Sequence, residues 1–60
     1  MFVYIIHTVM GEEFEDISDC GVEVYLDCLN DDANFILCED SEGNTAIVRK
    51  DQISYVETVR

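Results

Sequence analysis

Residues 2–10, Phe-Val-Tyr-Ile-Ile-His-Thr-Val-Met, are largely apolar on both of the faces a strand would present. β-Branched and aromatic residues dominate the run, which predicts an extended strand over Phe2–Met10. Side chains alternate across a strand, so Phe2, Tyr4, Ile6, Thr8 and Met10 share one face and Val3, Ile5, His7 and Val9 the other. An edge strand of a small antiparallel sheet keeps one wet face. A chain of 60 residues buries only about 60% of its unfolded surface, so it has little material to cover both sides. The strand is therefore expected to be central in a closed barrel or to lie in a subunit interface. The second alternative predicts a homodimer through Val3, Ile5, His7 and Val9.

Glycines and Asn/Asp clusters divide the rest of the chain, which contains no proline. Gly11–Gly21 (GEEFEDISDCG) is open between a short helix and a structured loop. Phe14 and Ile17 stand three apart, as on a helical turn, and the early carboxylates suit a helix N-terminus. Val22–Leu29 (VEVYLDCL) alternates and predicts a strand, with Val22, Val24, Leu26 and Cys28 on one face and Glu23, Tyr25, Asp27 and Leu29 on the other. Asn30–Asn34 reads as a turn, Phe35–Cys38 as a strand, and Glu39–Asn44 as a second turn with Gly43 or Asn44 available for positive φ. Thr45–Lys50 and Ser54–Val59 complete the strands, separated by Asp51–Gln52–Ile53 in one 3₁₀-like turn. The expected architecture is a single all-β domain over 1–60, with at most one helical turn near residues 12–19. Its five short strands would form a small barrel or a strongly bent antiparallel sheet.

The stretch Phe35–Val59, a hairpin followed by Val-Arg-Lys-Asp-Gln-Ile-Ser-Tyr-Val-Glu, resembles the end of an SH3-like or Sm-like barrel. In those folds a hairpin leads through a single 3₁₀ turn into the last strand. The resemblance covers under half the chain and implies a five-stranded SH3-like barrel. It also brings in RNA, which Sm-like proteins bind through basic and polar loops. The matching loops here, Asn30–Asn34 and Glu39–Asn44, are acidic, so the resemblance carries over the fold rather than the RNA binding.

Charge is distributed more unusually than hydrophobicity. The first 48 residues contain no lysine or arginine but hold 12 of the 14 acidic residues, between Glu12 and Glu42. Arg49, Lys50 and Arg60 are the only cations, and the net charge is −11. Soluble domains ordinarily intersperse both signs, and solubility does not require removing cations. Such a field repels nucleic acid and acidic membranes and attracts basic surfaces. B-DNA carries one charge per ~1.7 Å of axis, so a small domain with a dozen carboxylates can occupy a nucleic-acid groove at comparable density. In size and charge the chain is similar to small acidic phage-encoded inhibitors of DNA-processing enzymes.

These readings predict a non-enzymatic interaction protein that binds a basic surface of a larger protein. The expected contact residues are Glu23, Tyr25, Asp27 and Leu29 on the predicted second strand, with Asp31, Asp32, Glu39, Asp40 and Glu42 at the two turns. Glu23 and Asp27 would stand ~13 Å apart along that strand. Tyr25 with Leu29 would supply the apolar anchor that interfaces place inside a polar rim. The preferred partner is the groove of a DNA- or RNA-processing enzyme, in the manner of a phage anti-defence protein, without direct contact to nucleic acid or membrane. The alternatives are a structural or regulatory subunit whose acidity serves solubility, and an Sm-like RNA binder.

Other chemistry finds little support. His7, Cys20, Cys28 and Cys38 are separated by 13, 8 and 10 residues and lack the short paired spacing of zinc ligands. Aligning Gly43 with the glycine of an EF-hand places Cys38 at the first ligand position, where calcium requires oxygen. No cofactor or metal is expected. The lone histidine sits in an apolar strand, and a chain of this size has little room for a catalytic cleft. Three cysteines, an odd number, with no signal-peptide pattern point to a reducing cytoplasm, that of the host cell if the protein is phage-encoded.

Overall fold

A computed structural model describes residues 1–59. Strands β1 (Phe2–Thr8) and β2 (Glu13–Ser18) are followed by helix α1 (Val22–Asn30), strands β3 (Phe35–Glu39) and β4 (Thr45–Arg49), a 3₁₀ turn (Lys50–Gln52) and strand β5 (Ile53–Val59). The protein is mostly β, with five antiparallel strands and one short helix, as expected. The strands form two sheets, a three-stranded sheet in the order β2-β1-β5 and the β3–β4 hairpin, which bend around the core without closing into a barrel.

β1 is the central strand of its sheet, and this accounts for its two apolar faces. Its inner residues Tyr4, Ile6 and Thr8 are buried. Its outer residues Val3, Ile5 and His7 are half-buried by cross-strand neighbours from both sides: Ile17 and Val59 beside Val3, Glu15 and Glu57 beside Ile5, Glu13 and Tyr55 beside His7. Val9 falls beyond the strand, exposed, with its N–H donating to Gln52 O at 2.8 Å, so it does not share the face predicted for it. The pairing of β1 with β5 shifts between His7 and Thr8. There the Ser54 hydroxyl donates to His7 O at 3.1 Å.

Two segments differ from the sequence expectation. Gly11–Gly21 is neither a helix nor a loop, because residues 13–18 form the edge strand β2. Gly11, at φ +86°, turns the chain so that β2 runs back along β1. The Thr8 hydroxyl accepts the Glu12 N–H at 3.0 Å and secures that turn. The predicted strand Val22–Leu29 is helix α1. Its alternating pattern also satisfies a short helix in which Tyr25 is buried and Leu29, one turn on, is half-buried. Val22, Val24 and Leu26, predicted to share one face of a strand, are half-exposed on the helix. Lys50 supplies what the helix C-terminus needs. Its ammonium donates to Cys28 O at 2.6 Å and pairs with the Asp31 carboxylate, placing a cation at the negative end of the dipole.

The inner face of the first sheet meets the inner face of the hairpin. Ile6, Cys38 and Val48 form the buried centre, surrounded by Phe14, Ile36, Ala46, Ile53 and Val56. The hairpin turn is built by Asp40, whose Oδ1 accepts the N–H groups of Glu42 and Asn44, each at 2.9 Å. Gly43, rather than Asn44, takes the positive φ, at +85°. Space around Gly43 is open, so Gly43→Ala meets only backbone strain. It is expected to lower stability by about 1–2 kcal/mol without changing the fold, as read by urea unfolding.

Candidate functional site

The only buried acid among the described residues is Asp16. It lies on the inward face of β2, opposite Tyr4. Its Oδ2 accepts the Tyr25 hydroxyl at 2.6 Å, and its Oδ1 accepts the Glu39 N–H at 3.1 Å. Beside it, Glu15 Oε1 accepts the Ser41 N–H at 3.1 Å. Carboxylates of β2 thus bond amides of β3 and the turn after it where no backbone ladder joins the two strands. The Tyr25 ring stacks on Tyr4, centroids 3.8 Å apart and planes at 12°. The Tyr4 hydroxyl donates to Cys20 O at 2.6 Å.

This geometry corrects the role expected for Tyr25. Buried between Tyr4 and Asp16, it is an internal anchor and offers no surface to a partner. Glu23 and Asp27 are exposed on α1 one turn apart, so they share a face at ~6 Å rather than the ~13 Å of a strand. Leu29 is half-buried at the helix end, in a recess it shares with Asp31, Asp32, Arg49 and Lys50. Lys50 beside Asp31 holds that carboxyl below the usual carboxylate range. Asp32 is free on the surface, whereas the carboxylate of Asp40 is committed to the turn. Glu39 and Glu42 have exposed side chains, although the Glu39 N–H is bound to Asp16.

The predicted residues therefore do not form one face. Glu23 and Asp27 lie on the helix, and Asp31 and Asp32 follow it. At the hairpin tip, Asp40 and Glu42 meet Glu13 and Glu15 of β2 around a groove of about 440 Å³ whose apolar lining includes Phe14 and Ala46. Glu13 and Glu15 are additions, since sequence reasoning assigned them to a helix or loop. No local period-two signal marks them, because Asp16 and Ser18 are polar on the inward face and Ile17 is apolar on the outward one, and only the pairing with β1 places them.

A second unpredicted feature is the outer face of the hairpin. Leu37 and Ile47 pair directly, Phe35 follows on the same face, and their exposures are 62, 72 and 52%. The warning was present in Phe35–Cys38 and Ala46–Val48, which are apolar on both faces in the same manner as Phe2–Met10.

His7 occupies the open outer face of the first sheet. Its Nε2 lies 3.1 Å from Glu57 Oε1, its Nδ1 lies 3.6 Å from Glu13 Oε1, and its ring stacks on Tyr55 at 4.1 Å. The face proposed for a homodimer is thus bordered by Glu13, Glu15 and Glu57. Among the described residues no three of the His, Cys, Asp and Glu side chains are placed to hold a metal ion. Cys28 is exposed, Cys20 half-buried and Cys38 buried, with burial pushing the Cys38 thiol up to about 11. No helix among the described residues is long and apolar enough to cross a membrane.

Two outcomes follow from the Asp16 junction. Asp16→Ala strands a buried hydroxyl and an amide, so it is expected to lower stability by about 2–4 kcal/mol in urea unfolding, and Tyr25→Phe by about 1–2. Burial, and then the Asp16 hydrogen bond, raise the pKa of Tyr25 above its ordinary 10.0, and burial raises that of Tyr4. The folded chain keeps these protons where the unfolded chain loses them. Their stabilising effect is therefore complete below about pH 10 and is lost as pH rises beyond it. In a Tyr55→Phe background, which removes the one exposed tyrosine, tyrosinate absorbance is expected to appear together with unfolding. Ionisation of Tyr4 and Tyr25 in a chain that stays folded would contradict this. The chain matches no known protein family, no curated protein and no solved structure.

Proposed function

We propose that the protein is a non-enzymatic, acidic interaction module that binds a basic surface of a larger protein. The observation that carries this reading is the fate of its cations. Lys50 is engaged by Asp31 and the end of α1, and Arg49 by Asp51 at 2.9 Å. Arg60 lies outside the described residues. Of the acids, Asp16 alone is buried, and nearly all the others are exposed on both sheets, the helix and the connections. The surface thus presents carboxylates with almost no local compensation, in a molecule whose Cα principal extents are 26 × 22 × 17 Å. This charge density suits a groove built for nucleic acid. The partner class is accordingly a DNA- or RNA-processing enzyme, blocked in the cytoplasm of the cell that contains it, the host cell in the case of a phage anti-defence protein. The exposed Phe35, Leu37 and Ile47 favour a second reading, a regulatory subunit of a larger assembly held by apolar contact.

Affinity capture from the native host at two salt concentrations separates the two. The first reading expects basic nucleic-acid-processing proteins that are released between low and moderate salt, since exposed charge pairs are screened over about 10 Å at 0.1 M. It also expects capture to fall when Glu13 and Glu42, or Glu23 and Asp27, are changed to lysine. Partners retained at high salt and indifferent to both reversals would establish the subunit reading instead.

A further inference from the structure

Resting on the reading above, we infer that the free edge of β4, Thr45–Arg49, receives an extended segment of the basic partner in which apolar and Lys or Arg side chains alternate. β4 pairs only with β3, and among the described residues no other backbone or side-chain group bonds to its amides or carbonyls. The side of β4 away from β3 opens on a recess lined by Thr8, Met10, Glu12, Phe14 and Gln52 together with Ile47, Val48 and Arg49. Three consecutive β4 residues, from both of its faces, border this recess, and no β3 residue does. It therefore runs along the strand's free edge. Phe14 also lines the acidic groove at the hairpin tip, so the two depressions adjoin.

An added strand would pair its backbone with β4 and send alternate side chains to opposite sides. On the outer side they would extend the apolar row of Phe35, Leu37 and Ile47. On the other side they would face Glu12 in the recess and, toward the hairpin tip, the adjoining groove lined by Glu13, Glu15 and Glu42, while the one cation of these linings, Arg49, is already held by Asp51. That pairing of surfaces selects alternating apolar and basic residues. A second copy of the chain is a poor occupant, because each copy carries −11 and its own acidic hairpin tip. The free edge of β5 lacks these features. The recess near its end is lined by Met1, Phe2, Val3, Tyr4, Val22, Thr58 and Val59, without a carboxylate side chain.

The test uses a blocked octapeptide of alternating lysine and valine at low salt, with amide chemical shifts of the full chain as the readout. Two further peptides carry N-methyl groups on every valine or on every lysine, because only one set of amides can face β4. The largest shifts are expected at Thr45–Arg49. One N-methylated peptide is expected to bind about tenfold more weakly than the parent, as loss of one or two backbone hydrogen bonds requires. Ile47→Lys, at an exposed position, is expected to weaken the parent peptide without unfolding the chain. Equal binding of all three peptides, or shifts centred on α1, would overturn strand addition while leaving the basic-partner reading intact. Failure of every peptide to bind would overturn both. Concentration-dependent shifts of the β4 amides without peptide would assign the edge to a second copy and also overturn the inference.

Discussion

The carboxylate of Asp16 is the joint on which the architecture turns. β2 and β3 come together without a backbone ladder, and a helix must be held beside them. One side chain meets both needs by accepting the Tyr25 hydroxyl with one oxygen and the Glu39 N–H with the other. The Tyr4–Tyr25 stack then joins the helix to the central strand. A chain of this length is stable by about 3–9 kcal/mol, so a junction contributing a few kcal/mol decides whether the two sheets stay together. Burying a carboxylate is unfavourable unless it is well hydrogen-bonded, and here each oxygen has its donor. No buried side-chain nitrogen or oxygen among the described residues lacks a partner.

The same economy governs the cations. Lys50 is placed where the helix dipole, a carbonyl and Asp31 converge, so one ammonium both ends α1 and orders the turn into β3. Arg49, beside it, is held by Asp51 two residues on. Both are committed within the fold. Among the described residues each of these cations has an acid at its side, Lys50 largely buried and Arg49 on the surface, so the remaining exterior charge is carried by the acids.

The C-terminal half of this fold was legible in the sequence, and the reason is local. The Asp40–Asn44 turn is specified by its own residues, an aspartate that captures two following amides and a glycine at positive φ. The strands on either side and the 3₁₀ turn follow at short range, with boundaries within a residue or two of expectation. Residues 13–30 were misread because their determinants are distant. Val22–Leu29 alternates well enough for a strand, yet becomes a helix because Tyr25 finds Asp16 nine residues back and the ring of Tyr4 on the central strand. Phe14 and Ile17 suggested a helical turn, but their partners are Ile6 and Val3 across a hairpin. The site suffered accordingly. The acidity of the surface was visible in composition, whereas the grouping of Glu13 and Glu15 with the hairpin tip, and the burial of Tyr25, depend on that long-range pairing.

The unclosed arrangement of the two sheets gives the negative charge a protective role. β4 and β5 each leave an edge unpaired, and neither carries proline or an internal lysine to discourage another strand from adding. Closure would have removed such edges, but here mutual repulsion between whole molecules stands in its place. That guard depends on ionised carboxylates. Near the isoelectric point of about 4.1 it disappears, while the edges and the apolar hairpin face remain. Acidification therefore removes the barrier to edge-to-edge assembly, so the colloidal behaviour of this protein in mild acid is set by its open sheets as much as by its folding stability.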